Sequence, residues 1–180
     1  MPSAAEIYLM RIWNYLKSIT GGTWSGDDIN DAPAGGVGLS TSEIWRINIL
    51  SDEDANDSDK IFDMPADEEW QILWIWVELT TTADVGDRQL VIEVQDDTDD
   101  VIAQLARASS VQAASLTRYY LFAPAVADMP GFRDTDYLST PIPPTTFLQT
   151  GNTLRIWDNN AIAAAADDMI VHIQYASRGV

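Results

Sequence analysis

Glu69-Trp70-Gln71-Ile72-Leu73-Trp74-Ile75-Trp76-Val77-Glu78-Leu79-Thr80-Thr81-Thr82 is the longest stretch of aromatic, β-branched and aliphatic residues in the chain. Such residues fit a pleated surface, and the stretch is predicted to be a strand. Simple alternation puts Trp70, Ile72, Trp74 and Trp76 on one face and Leu73, Ile75, Val77 and Leu79 on the other. Both faces are apolar, so both must be covered. One belongs to a core; the other, carried by Trp70, Ile72, Trp74 and Trp76, is the candidate oligomer interface.

On either side of this strand the period stays at two. Ile44 to Leu50 is a strand candidate, and Ser51 to Lys60 reads as an acidic loop. Between Arg88 and Gln95, Leu90, Ile92 and Val94 alternate with Gln89, Glu93 and Gln95, the pattern of a strand with one wet face. The run Asp96 to Asp100 turns the chain into Val101 to Leu105, which makes a hairpin with an acidic tip. Arg118 to Phe122, Leu154 to Trp157 and Met169 to Tyr175 complete the strands. Ala123 to Pro144 holds five of the eight prolines and reads as a long loop. Short strands without intervening helices predict a mainly β fold, an antiparallel β-sandwich of jelly-roll type.

The N-terminal part differs. Ser3 and Glu6 have capping-box spacing, and Leu9, Ile12, Trp13 and Leu16 recur at helical period before Gly21-Gly22. Residues 1–22 are expected to form an amphipathic docking helix with Leu9, Ile12, Trp13 and Leu16 as its contact stripe. Residues 23–42 form a Gly/Asp-rich arm, and residues 43–180 form the sandwich.

The chain carries 28 acidic residues against 10 Lys and Arg, a net charge of -18, so phosphate backbones and anionic lipid surfaces repel it. Neither nucleic acid nor membrane is an expected partner, and the N-terminus lacks the pattern of a signal peptide. Asp outnumbers Glu by 21 to 7, a bias that suits a saline setting in which self-repulsion is screened. With no cysteine, disulfides and thiolate chemistry are excluded.

The sequence offers little for catalysis. His172 is the only histidine and no G-x-S-x-G elbow occurs, so no catalytic residues are assigned and the chain is read as a non-enzyme. Asp52, Asp54 and Asn56 stand at alternate positions ahead of Ser58 and Asp63, which resembles a calcium loop. However, Asp57 stands where the turn demands glycine and Asp63 replaces the usual Glu. A solvated acidic loop is the competing reading, and the Asp96 to Asp100 tip raises the same choice. No cofactor is expected apart from calcium at Asp52, Asp54, Asn56 and Asp63. Seven tryptophans also raise a sugar-stacking role, for which Trp24 and Trp157 are candidates.

Two patterns carry a family resemblance. Ile12 to Gly22 is similar to the short "YLxxIxG" helices that begin many phage head proteins. Thr80 to Ile92, with Leu154 to Asp158 and Ala163 to Asp168, looks like the loops and strands of phage virion sandwiches. The chain thus resembles the auxiliary virion proteins of tailed bacteriophages, especially jelly-roll capsid decoration or cement proteins. The resemblance implies a structural homotrimer on the capsid exterior, bound to the major capsid protein. The alternative is a carbohydrate- or receptor-binding module of a phage fibre, with or without calcium.

Overall fold

The computed structural model describes residues 45–55, 58–160, 162 and 166–179, all within the compact unit Ser42–Val180. The docking-helix residues Leu9, Ile12, Trp13 and Leu16, the arm, and the calcium-loop residue Asn56 lie outside the described residues.

Among the described residues ten strands form two sheets: β1 (Arg46–Asp52), β2 (Asp59–Asp63), β3 (Glu68–Thr80), β4 (Leu90–Gln95), β5 (Val101–Arg107), β6 (Thr117–Pro124), β7 (Tyr137–Ile142), β8 (Phe147–Gln149), β9 (Thr153–Asp158) and β10 (Asp168–Gly179). The first sheet has the order β1-β10-β3-β6-β7, with β8 added beside the start of β3; the second is β2-β9-β4-β5. Ile75, Val77, Leu79, Tyr120, Phe122, Val171 and Ile173 of the first sheet share one core with Phe62, Leu90, Ile92, Val94, Leu154 and Ile156 of the second. Each large aliphatic side chain buried there contributes about 1.5–3 kcal/mol, so this shared core holds the two sheets together.

Three expectations need correction. Ser51 to Lys60 is not all loop, because β2 begins at Asp59 and pairs with β9. The proline-rich segment contains β7 and ends just before β8. Pro141 is tolerated in β7 because that strand lies at a sheet edge, where a missing N–H costs no ladder bond. Finally, the sheets are not wholly antiparallel: β6 and β7 run parallel, from Tyr119 opposite Tyr137 to Pro124 opposite Ile142. The connection between them is long enough to carry the chain back to the same end of the sheet.

A further correction concerns β3. Trp74 pairs with Gln174 and Ile72 with Tyr175, so Leu73 is an extra residue in the ladder. This bulge reverses the alternation. Before it, Trp70 (4% exposed) and Ile72 (1%) face the core; after it, Ile75, Val77 and Leu79 do. The four residues Trp70, Ile72, Trp74 and Trp76 therefore do not share a face. Likewise Glu93 and Gln95 are buried rather than wet, since Arg155 and Thr153 of β9 lie directly opposite them.

The loops beside the core are fastened by polar groups. The buried Arg88 guanidinium donates to Asp167, to the carbonyls of Asp84 and Gly86, and to the Thr82 hydroxyl. Gln112 donates to the carbonyls of Leu79 and Leu116 and accepts from the Tyr120 hydroxyl at 2.9 Å.

Candidate functional site

The outer face of the first sheet is the surface most unlike an ordinary solvated one. Beyond the bulge β3 presents Trp74, Trp76 and Glu78 outward; β6 presents Tyr119, Leu121 and Ala123; and β10 presents His172 and Gln174. Their rings form a run across four strands. Tyr137 of β7 stacks on Tyr119 at 4.6 Å between centroids, Tyr119 on Trp76 at 5.9 Å, and Trp76 meets His172 at 5.2 Å. Ser51 of β1 extends the run to a fifth strand through a 2.6 Å bond between its hydroxyl and His172 Nδ1.

Trp74, Trp76, Leu121, Ala123 and His172 line a groove of about 580 Å³ on this face. None of them carries a formal charge when His172 is neutral, on a chain whose net charge is -18. Glu78 stands at the border, where its charge, with desolvation and the nearby Tyr137 and Asp136, pushes the Tyr119 phenol up. Trp45, Ile47, Ile49 and Phe147 add exposed apolar area toward β1 and β8. Trp45 packs near Phe147 at 6.0 Å and under the Arg178 guanidinium at 4.9 Å.

Of the sequence-derived interface residues, the structure brings Trp74 and Trp76 together on this face and sends Trp70 and Ile72 inward, where Trp70 stacks on Tyr175 at 3.8 Å. Tyr119, Tyr137, Leu121 and His172 were missed. His172 had a signal in the alternation of Met169 to Tyr175, and Tyr119 and Leu121 lay in the strand candidate Arg118 to Phe122, but neither says which strands lie side by side; Tyr137 fell in the segment read as a loop. His172 does sit on the outward face, half-buried, with Ser51 at Nδ1 and Glu53 at 4.0 Å from Nε2. These partners hold the imidazole at the groove rim.

Of the described calcium-loop residues, Asp63 is not gathered with Asp52 and Asp54. The Lys60 ammonium lies 3.3 Å from Asp52 Oδ1 and also donates to the Asp54 carbonyl, so the chain's own cation sits in the loop. Asp63 is three residues further along β2, about 10 Å away. There it lines a second pocket of about 260 Å³ with Asp96, Asp97, Asp99 and Asn152. Asp96 Oδ1 accepts from the Thr98 and Asp100 amides and the Thr98 hydroxyl, bonds that close the hairpin tip and lower the Asp96 pKa. Among the described residues no three acidic or histidine side chains converge as metal ligands. Of the sugar-stacking candidates, Trp157 lies on the second sheet under the Arg155 guanidinium, 4.5 Å from its ring centre, and Trp24 is outside the described residues.

No family model matches the sequence, and no curated protein does. Among solved structures the chain has a weak likeness to that of infectious bursal disease virus Gx strain, with a TM-score of 0.31 and 10% identity over 88% of this chain and 41% of that one. It has a similar likeness to PfGH50B, with a TM-score of 0.29 and 9% identity over 76% of this chain and 22% of that one. The chain thus spans under half the length of either. Both likenesses are too weak to carry an argument about function.

Proposed function

We propose that this chain is a structural virion protein that decorates or cements a tailed-phage capsid. It acts by assembly rather than catalysis, associating with itself through the outer face of the first sheet and docking on the major capsid protein at the capsid exterior. The observation that carries the reading is the aromatic run Tyr137-Tyr119-Trp76-His172, free of acidic side chains, on a chain of net charge -18. Copies this acidic repel one another everywhere else, so a neutral apolar face is where self-contact costs least. Setting β7 and β8 aside, the orders β1-β10-β3-β6 and β2-β9-β4-β5 are those of a jelly roll, an architecture found in viral capsid proteins and in lectin domains.

The face is large enough. Five strands at roughly 4.8 Å spacing and about seven residues of roughly 3.3 Å each span about 500 Å². Covered on one copy by an equal area of the next, it reaches roughly the 1,000 Å² at which specific interfaces begin. A homotrimer is the proposed assembly. Sedimentation velocity tests the reading: an oligomer is expected at micromolar concentration, and Trp74→Ser with Trp76→Ser should dissociate it without unfolding it. A wild-type monomer would overturn the proposal.

A second reading draws on the same rings. The stacked Tyr119 and Tyr137 could hold a sugar ring, as a fibre's carbohydrate-binding module would require. Glycan-array binding lost on Tyr137→Ala, with the wild type monomeric, would favour it.

A further inference from the structure

We propose that the groove lined by Trp74, Trp76 and Leu121 receives Phe132 from a second copy of this chain. This rests on the self-association proposed above and names what fills the face.

The connection from β6 to β7 contains a 3-10 turn, Pro130–Phe132, in which the Phe132 amide donates to the Met129 carbonyl at 2.9 Å. Phe132 is 88% exposed and Met129 52%, so the turn is an apolar knob standing in water. It is also braced. Arg133 grips Asp128 at two points, Nε to Oδ1 at 2.6 Å and Nη2 to Oδ2 at 3.1 Å, and donates to the carbonyls of Asp134 and Thr135. Asp128 in turn accepts from the Ser139 amide of β7, at 3.3 Å. A side chain presented on a turn tied down this way loses little freedom when it docks. Exposed aromatics on ordered turns have the character of interface anchors.

Three properties match the knob to the groove. The groove is apolar and, at about 580 Å³, has room for a phenyl ring. The knob's own side chains, Met129 and Phe132, are uncharged, and the cation beside Phe132, Arg133, is paired with Asp128, while Asp134 and Asp136 follow on the β7 side. The two patches also lie on different parts of one surface, the groove on the middle strands of the sheet and the knob beside its β7 edge. A contact between unlike patches is heterologous, and when its rotation closes it makes a ring, which suits a trimer.

The chain has no cysteine, so disulfide trapping tests the pairing without background. Phe132→Cys, Ala123→Cys and the double variant are oxidised separately. The double variant is expected to give covalent dimers and higher species, a mixture of the two single variants to give a mixed dimer, and each single variant alone to stay uncrosslinked. As a cysteine-free measurement, Phe132→Ala should weaken association about 30-fold or more, the loss of an anchor residue. Crosslinking of Ala123→Cys alone would mean that two faces meet each other, which overturns the knob but keeps the self-association. An oligomer in which neither Phe132→Ala nor the cysteine pair has an effect would do the same. A wild-type monomer would remove both.

Discussion

Arg88 and Asp167 form a two-point ion pair wholly excluded from water, with Nε to Oδ2 at 2.7 Å, Nη2 to Oδ1 at 3.2 Å and both side chains 0% exposed. The pair joins the loop before β4 to the residue preceding β10. Removing one partner strands a buried charge, so Arg88→Met is expected to cost about 3–5 kcal/mol, read as a lower urea midpoint. Arg88→Met with Asp167→Leu should recover a large part of that loss. A cost under about 1 kcal/mol for the single variant would show the pair to be dispensable.

Two neighbouring carboxylates should pull the pH profile in opposite directions. Burial raises the Asp167 carboxyl, but the bonds from Arg88 and Thr82 outweigh it and leave the pKa below the ordinary 3.8. The stability linked to Asp167 is therefore complete above that value and is lost as pH falls through the lowered one. Asp158 has the opposite sign. Burial raises its pKa above 3.8 despite amide bonds from Gln89 and Asn160, and its Oδ2 is buried without a partner. Its contribution is complete below 3.8 and is lost as pH rises through the raised value. Asp158→Asn should flatten the dependence of Tm on pH between 3.8 and that raised value, the window in which the folded protein holds a proton that the unfolded chain has lost. Relief of the overall negative charge acts on both proteins alike, so only their difference is diagnostic. Matching profiles would dismiss Asp158.

Most strands were legible because their apolar residues alternate, as in Leu90 to Gln95 and Met169 to Tyr175. The misses have physical causes. β2 and β7 are edge strands whose acidic and proline residues look like loop because only one side of each strand must pair. The bulge at Leu73 had a faint signal: the polar residues of β3 change parity, from Glu69 and Gln71 to Glu78 and Thr80. Six consecutive apolar residues hide where the change occurs. Which strands lie side by side, and hence the aromatic run and the groove, depends on pairing between residues far apart in the chain. Local periodicity carries none of that.

Gly86 has a backbone φ of 153° and its carbonyl accepts from Arg88. A Cβ there would run into the Ile162 side chain. Gly86→Ala is expected to cost about 1–3 kcal/mol, since it adds strain and a clash beside the buried ion pair. Thermal melts would read this, and an unchanged Tm would refute it.

Lys60 already supplies a cation to the loop containing Asp52 and Asp54. Millimolar calcium should therefore shift the wild-type Tm by less than about 1 °C. A chelator-reversible rise of several degrees would instead mean that calcium displaces the ammonium or binds elsewhere.

The bulge makes the tryptophans of β3 separable by experiment. Trp70 is buried and stacked on Tyr175, with its indole N–H donated to Glu68 at 2.7 Å, so truncation opens a cavity and strands polar atoms. Trp70→Ala should cost about 3–5 kcal/mol of folding stability. Trp76 lies outside the core, between Tyr119 and His172. Trp76→Ala should cost about 1 kcal/mol or less in the isolated subunit, as expected for a surface change away from the core. Its loss should appear instead in the concentration dependence of assembly. Denaturation at dilute and at high protein concentration separates the two effects, because only the assembly term varies with concentration. If Trp76→Ala destabilised the dilute protein as much as Trp70→Ala, the ladder would run without an extra residue at Leu73 and the two indoles would share a face after all.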